Sequence, residues 1–131
     1  VVWAKIKAPG RAQEKVLRSY NGDPSKLLDV CRQSIVFSSV ADLVECCGLI
    51  ATDPDVKLVR VKNRLSEHHV SEDSGGYRDL LINLKMQTAE TCGLGLEGHV
   101  CELQLILQSF AQIKTSVGHK RYVVYRNSKA E

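Results

Sequence analysis

Apolar positions along the chain change their period several times, and each change marks an element. From Pro9 onward, Ala12, Val16 and Leu17 suit a short helix with proline in its first turn, where a missing N–H leaves no hydrogen bond unmade. Asn21-Gly22-Asp23-Pro24 breaks the chain, and Asp23 or Ser25 caps a brief helix holding Leu27 and Leu28. Ser34-Ile35-Val36-Phe37 reads as a first strand, after which Ser39 caps a helix whose apolar positions Val40, Leu43, Val44 and Cys47 face inward, ended by Asp53-Pro54-Asp55.

From Val56 to Arg64 the period is two, with Val59 and Val61 on one face and Leu58, Arg60, Lys62 and Arg64 on the other. A polar loop over 65–76 ends in Ser74-Gly75-Gly76 and leads to a strand over 77–86. After a Gly-rich turn, His99 to Gln108 alternates: Cys101, Leu103, Leu105 and Leu107 against Glu102, Gln104, Ile106 and Gln108. Phe110, Ile113 and Val117 mark a closing helix, followed by a basic-aromatic tail with Arg121, Tyr122, Tyr125 and Arg126. The order is helix, strand, helix, three strands, helix. It implies an α/β or α+β fold with one mixed sheet of four or five strands flanked by helices.

At 131 residues, with 44% apolar and 25% charged content, the chain falls in the range of one globular domain over 1–131, able to sustain a core without staples. No apolar run approaches the ~18 residues of a membrane span, which argues against a membrane partner. The first residues, Val1-Val2-Trp3-Ala4-Lys5, carry neither an initiator Met nor the order of a signal peptide, as in a piece cut from a longer protein. Five cysteines (Cys31, Cys46, Cys47, Cys92 and Cys101) make an odd number and fit a cytoplasmic, reduced and mostly buried set. None forms a C-x2-4-C pair, so a zinc site drawing on His99 is disfavoured.

The net charge of +3 is too mild to imply nucleic-acid binding, but its distribution is uneven. Residues 1–20 carry Lys5, Lys7, Arg11, Lys15 and Arg18 against Glu14 alone, and four of these cations share one helical face where an anion could dock. Gly93-x-Gly95-x-x-Gly98 has the letters of a dinucleotide fingerprint; a strand rather than a helix follows it, which makes it a hairpin loop. His68-His69 reads as a solvated pair.

A dispersed constellation is more informative. Asp29 stands just before the first strand and Glu102 lies within the last, where a carboxylate among apolar neighbours must be paired, hydrogen-bonded or metal-bound. Two carboxylates with Lys5, Lys7, Lys15, Arg60 and Lys62 are what magnesium-dependent phosphoryl transfer needs: oxygen ligands for a hard ion and fixed positive charge for phosphates. Ordinary salt bridges would account for the same residues.

Arg60-Val61-Lys62-Asn63-Arg64, Gly76-Tyr77-Arg78-Asp79 and His99-Val100-Cys101-Glu102-Leu103-Gln104, in that order, resemble the Arg-x-Lys-Asp, Gly-Tyr-x-Ser and Glu-x-Gln elements of the RelA/SpoT family of alarmone synthetases. Lys5-x-Lys7 followed by Lys15 resembles the family's basic elements, and Asp29 the aspartate that opens its first catalytic strand. The likeness spans roughly Lys5 to Arg126. Asp79 stands where the family has serine, Leu81 where it has histidine, Ile106-Leu107 where it often has Arg-Thr, and Glu72-Asp73-Ser74-Gly75 where it has Pro-Lys before Gly-Tyr.

The resemblance implies a nucleotidyltransferase-like fold and a pyrophosphokinase that transfers pyrophosphate from ATP to the 3′-hydroxyl of GDP or GTP, or of a related nucleotide or RNA acceptor. By the same likeness Asp29 and Glu102 would hold magnesium, with Glu102 drawing the proton from the attacking hydroxyl. Lys5, Lys7 and Lys15 would grip the ATP phosphates, Arg60 and Lys62 would add phosphate contacts, and Tyr77 would stack on the guanine with Gln104 beside it. Two other readings remain open here: a catalytically silent nucleotide-binding regulatory module of the same fold, and a protein-interaction domain whose basic faces are merely solvated.

Overall fold

The computed structural model describes residues 5–70, 72, 76–112 and 124. Ile113, Val117, His119, Arg121, Tyr122, Tyr125 and Arg126, which carry most of the expected closing helix and tail, lie outside the described residues.

The first helix, α1 (Pro9–Ser19), begins on proline and stops where Asn21 and Gly22 take positive φ of 53° and 80°; the Gly22 amide closes it on the Val16 carbonyl at 3.0 Å. A single 3-10 turn follows over Pro24–Lys26, and Asp23 is its cap, accepting from the Ser25 amide at 3.0 Å. Strand β1 (Arg32–Phe37) starts two residues earlier than its apolar run suggests. Helix α2 (Val40–Thr52) is capped by Ser39, whose hydroxyl accepts from the Asp42 amide at 3.2 Å.

Leu43 of α2 is buried, with Cys46, Cys47 and Ile50 packed against the core. Val40 and Val44, expected to face inward, are 59% and 60% exposed. The seam runs through 43, 46/47 and 50, one helical turn apart, so positions 40 and 44 fall on the flank.

Strands β2 (Val56–Asn63), β3 (Leu80–Met86) and β4 (Val100–Leu107) complete a four-stranded sheet in the order β1-β4-β3-β2. β1 and β4 are parallel; β4, β3 and β2 are successively antiparallel. The sheet is mixed, as the element order implies. β3 begins at Leu80 rather than Tyr77, because Tyr77 and Asp79 turn their side chains into a polar cluster at the strand's start. The connection between β3 and β4 carries a short helix, α3 (Ala89–Gly93), closed by a reciprocal Thr88–Thr91 capping box. The glycine motif is thus part of a hairpin connection, with Gly95 at φ 70°. A one-turn helix, α4 (Gln108–Ala111), contains Phe110.

The core lies between α2 and one face of the sheet: Leu43 with Leu80, Ile82, Leu84 and Leu105. A bulge between Leu58 and Arg60 corrects the expected alternation in β2. Leu58 pairs with Leu84 and Val61 with Ile82, both on the core side, while Arg60 pairs with Asn83. The extra residue keeps Arg60 and Lys62 on the opposite face. That face carries Glu102 and Gln104 of β4, Asn83 of β3, and Arg32 and Ser34 of β1.

Leu105 is fully buried at the centre of this packing. Leu105→Ala is expected to lower unfolding free energy by about 3 kcal/mol, from lost transfer energy plus the cavity left behind. Urea denaturation of the two chains measures the difference.

Candidate functional site

The polar face of the sheet is closed at one end by the N-terminal segment. The Lys7 amide donates to the Val30 carbonyl at 3.0 Å, laying that segment beside the strand-entry loop. The Lys7 and Lys15 ammoniums then both reach Asp29, each donating to Oδ2 at 2.9 Å. Two of the four cations expected on one helical face thus converge on one carboxylate, and Lys7 does so from the extended segment ahead of α1, which begins only at Pro9. Arg11 and Arg18 remain outside, on Glu14 at 2.9 and 3.4 Å.

Between α1, the 3-10 turn and the sheet lies a concavity of about 370 Å³, with Lys15, Tyr20, Lys26, Asp29, Arg60 and Glu102 among its walls. Four residues singled out by the sequence thus meet in one place: Lys15, Asp29, Arg60 and Glu102. Lys7 joins them through Asp29. Lys5 and Lys62 are exposed, Lys62 on the same sheet face as Arg60 and opposite Leu81. Gln104 accepts from the Ser34 hydroxyl at 3.0 Å, tying β4 to β1 two pairs beyond Glu102 on the same face.

The two carboxylates are pushed in opposite directions. Burial raises the Asp29 carboxyl, but hydrogen bonds and charge from Lys15 and Lys7 outweigh it, so the net displacement is downward. For Glu102 burial again comes first, the negative charge of Asp29 adds to it, and Lys15 and Arg32 offset only part; its carboxyl lies above the ordinary value. Asp29 also keeps a buried Oδ1 with no hydrogen-bond partner. One carboxylate held ionised, with an acceptor atom in need of a donor or cation, beside a second carboxylate with raised proton affinity, is an arrangement suited to acid–base chemistry on a ligand.

Divalent magnesium fits this donor set. It is commonly held by one or two carboxylates together with waters and substrate phosphates, and the orphaned Asp29 Oδ1 supplies an anionic oxygen that the protein leaves unmatched. No group of three or more His, Cys, Asp or Glu suited to a metal occurs among the described residues, so the protein alone would not enclose the ion.

Sequence reasoning missed three features. Asn83 is fully buried, and its Oδ1 accepts from Arg60 Nε at 3.0 Å; Nδ2 is buried without a partner. An asparagine in an apolar strand, opposite both Arg60 and Glu102, was the available signal. Tyr20 ends α1 with the Lys15 ammonium 5.7 Å from its ring centre. The third feature is the neighbourhood of Tyr77. Asp79, fully buried, accepts from Arg64 Nε at 2.6 Å and from the Tyr77 hydroxyl at 3.1 Å. The Arg64 guanidinium lies 5.6 Å from the Tyr77 ring centre, and Tyr77 is 6% exposed. That ring face is already covered by a cation. Arg78 fastens the loop that precedes it by donating to the carbonyls of Arg64, Ser66 and His69 at 2.9 to 3.3 Å.

The cysteines are less buried than expected. Cys31 and Cys92 are exposed, because Cys31 precedes β1 and Cys92 sits on the short surface helix α3. Burial and the neighbouring Cys31 thiol push the Cys101 thiol up to about 11. No described helix is long and apolar enough to cross a membrane.

Solved structures of small alarmone synthetases share this mixed four-stranded fold. Small alarmone synthetase 2 from Bacillus subtilis superposes with a TM-score of 0.68 at 20% identity, over 94% of this chain and 62% of its own. Small alarmone synthetase 1 from Bacillus subtilis, bound to its product pppGpp, gives 0.66 at 20% identity over 96% and 68%. The same enzyme bound to AMPCPP gives 0.57 at 17% identity over 96% and 66%. The chain thus spans 62% of the length of the first of these. No family model and no curated protein sequence matches it.

Asp29→Asn removes the shared partner of two lysines. Its expected cost at neutral pH is about 2–3 kcal/mol, below the ~3–5 kcal/mol of a fully buried pair because a third of the Lys15 side chain stays in water. A depressed carboxyl contributes stability above its unfolded pKa and loses it as pH falls through its folded value, so the gap between the two proteins should close on acidification below about pH 4. The same substitution removes the charge that helps raise Glu102, whose carboxyl resonance should titrate at lower pH while burial keeps it above the ordinary value. Denaturation at a series of pH values and carbon-detected NMR titration read these effects.

Proposed function

We propose that the chain binds ATP with magnesium and transfers its pyrophosphoryl group to the 3′-hydroxyl of a guanine nucleotide, GDP or GTP, or of a related nucleotide or RNA acceptor. The observation that carries this reading is the pairing of lysine-held Asp29 with proton-seeking Glu102 across one concavity. The likeness in fold to a synthetase bound to pppGpp and to AMPCPP, an ATP analogue, agrees with it.

In this reading Asp29 and Glu102 hold the ion, which when bound neutralises phosphate charge and polarises the reacting phosphorus. Lys7 and Lys15, which secure Asp29 in the free protein, grip the ATP phosphates together with Lys5. Arg60, oriented by Asn83, and Lys62 add positive charge along β2. Glu102 takes the proton of the acceptor hydroxyl as its oxygen attacks the β-phosphorus; the bond from that phosphorus to the α–β bridging oxygen breaks, and AMP leaves. The rate gain comes from positioning and fixed charge. Tyr77 and Gln104 serve the acceptor base in this reading, and a base stacking on the covered ring face must displace the Arg64 guanidinium.

The alternative is a silent nucleotide-binding regulatory module. Its support is that covered ring, since Asp79 holds both the Tyr77 hydroxyl and the arginine that lies over the ring.

Incubation with magnesium, β-labelled ATP and a panel of GDP, GTP, ADP and tRNA decides between them. Label moving to an acceptor with AMP released supports the transferase; nucleotide binding without transfer favours the module. Glu102→Gln should slow transfer by about 10²- to 10⁴-fold while nucleotide affinity falls far less, since the lysines and Asp29 still hold the phosphates and the ion whereas the reacting proton loses its acceptor. Unchanged turnover in that variant would remove Glu102 from the mechanism.

A further inference from the structure

The parallel β1–β4 ladder begins with Arg32 opposite Glu102 and runs in step to Phe37 opposite Leu107. One residue before its start, the same register sets Cys31 beside Cys101. The Glu102 amide donates to the Cys31 carbonyl at 2.9 Å, so a main-chain bond holds the two cysteines as neighbours. Adjacent strands lie about 4.8 Å apart, within the ~4.4–6.8 Å that a disulfide spans between Cα atoms. Cys31 is exposed and Cys101 half-buried against the core, which makes one thiol reachable and leaves the other waiting behind it. Asp29 lies two residues before Cys31, and Glu102 directly follows Cys101.

We propose that Cys31 and Cys101 form an oxidant-sensitive dithiol, a modification site whose disulfide ties the Asp29 segment covalently to the strand carrying Glu102. The oxidant class is a peroxide or a small-molecule disulfide. A peroxide converts the Cys31 thiolate to a sulfenic acid, its O–O bond being reduced to an alcohol or water. The Cys101 sulfur then attacks the Cys31 sulfur, hydroxide leaves and takes up the Cys101 proton as water, and two electrons have left the pair. A disulfide oxidant reaches the same product through a mixed disulfide at Cys31, releasing two thiols. Closing the sulfurs to about 2.05 Å pulls the 29–31 segment against β4 and changes the spacing of the two carboxylates. This last effect rests on the nucleotide reading above; formation of the disulfide does not.

The test starts from the whole, reduced chain, oxidised with hydrogen peroxide and separately with oxidised glutathione, then alkylated and mapped as non-reduced peptides. The expected first product is a Cys31–Cys101 cross-linked peptide, absent from Cys31→Ser and Cys101→Ser, with two of the five thiols lost. Cys31 ending as a sulfinic acid or a glutathione adduct, with Cys101 still alkylated, would overturn the proposal. Circular dichroism of Cys31→Ser, altered at an exposed position, verifies that the variant is folded. Calorimetry with magnesium-ATP then reads the coupling to the site: the oxidised chain should bind about tenfold more weakly, a loss of about 1.4 kcal/mol, with recovery in dithiothreitol. Equal affinity in both redox states would overturn the coupling. A reduced chain that binds no nucleotide would instead sink the functional reading, while the peptide map still decides the disulfide.

Discussion

One carboxylate oxygen, Asp29 Oδ2, accepts from two lysines that approach from different parts of the N-terminal region, Lys7 from the extended segment and Lys15 from α1. α1 buries no residue of its own, so apolar packing does little to place it. The double ion pair and the Lys7–Val30 main-chain bond fix it instead. That constraint forms one wall of the concavity, and the sheet forms the other. It also leaves Oδ1 buried without a partner, which is tolerable only where a cation or donor can complete the shell. Stability and the proposed ligand chemistry thus draw on the same carboxylate.

The remainder of the polar face follows a consistent logic. Each buried polar group on β3 or at its start is answered by an arginine from or just beyond β2: Asn83 by Arg60, and Asp79 by Arg64. Planar guanidiniums suit this task because they present fixed donors and shed water more readily than ammoniums. The lysines gather at the other end, on Asp29, where mobile point charges can serve either the carboxylate or an incoming phosphate. Glu102 lies between these regions. Its carboxyl is raised because burial and Asp29 outweigh Lys15 and Arg32, and it is this imbalance that gives the proposed base its proton affinity.

Much of the fold was legible where local signals agree. The period of two over β4, the serine cap before α2, and the proline that opens α1 each match a structural element. The β-bulge was invisible because its effect depends on pairing with β3, and without it Leu58 appears to share a face with Arg60. Helix α3 depends on a two-threonine capping box in a segment that otherwise reads as a turn. Within the site, the carboxylates and cations could be selected by residue type and order. What they do to one another could not, since both the double lysine grip on Asp29 and the Arg64 cover on Tyr77 arise from residues 14 to 22 and 13 positions apart. The unmatched amide of Asn83 lies in the same class, because a strand asparagine acquires meaning only once its neighbours are known.

The account stands most directly on whether Asp29 and Glu102 share a ligand-bound divalent ion. A crystal structure of the chain with AMPCPP and manganese, whose anomalous scattering locates the ion, is the decisive measurement. The account predicts a peak about 2.0–2.3 Å from Asp29 Oδ1 and from a Glu102 carboxylate oxygen, with phosphate oxygens completing its shell, as expected for a small hard cation. A nucleotide seated elsewhere, or an ion that touches neither carboxylate, would contradict it.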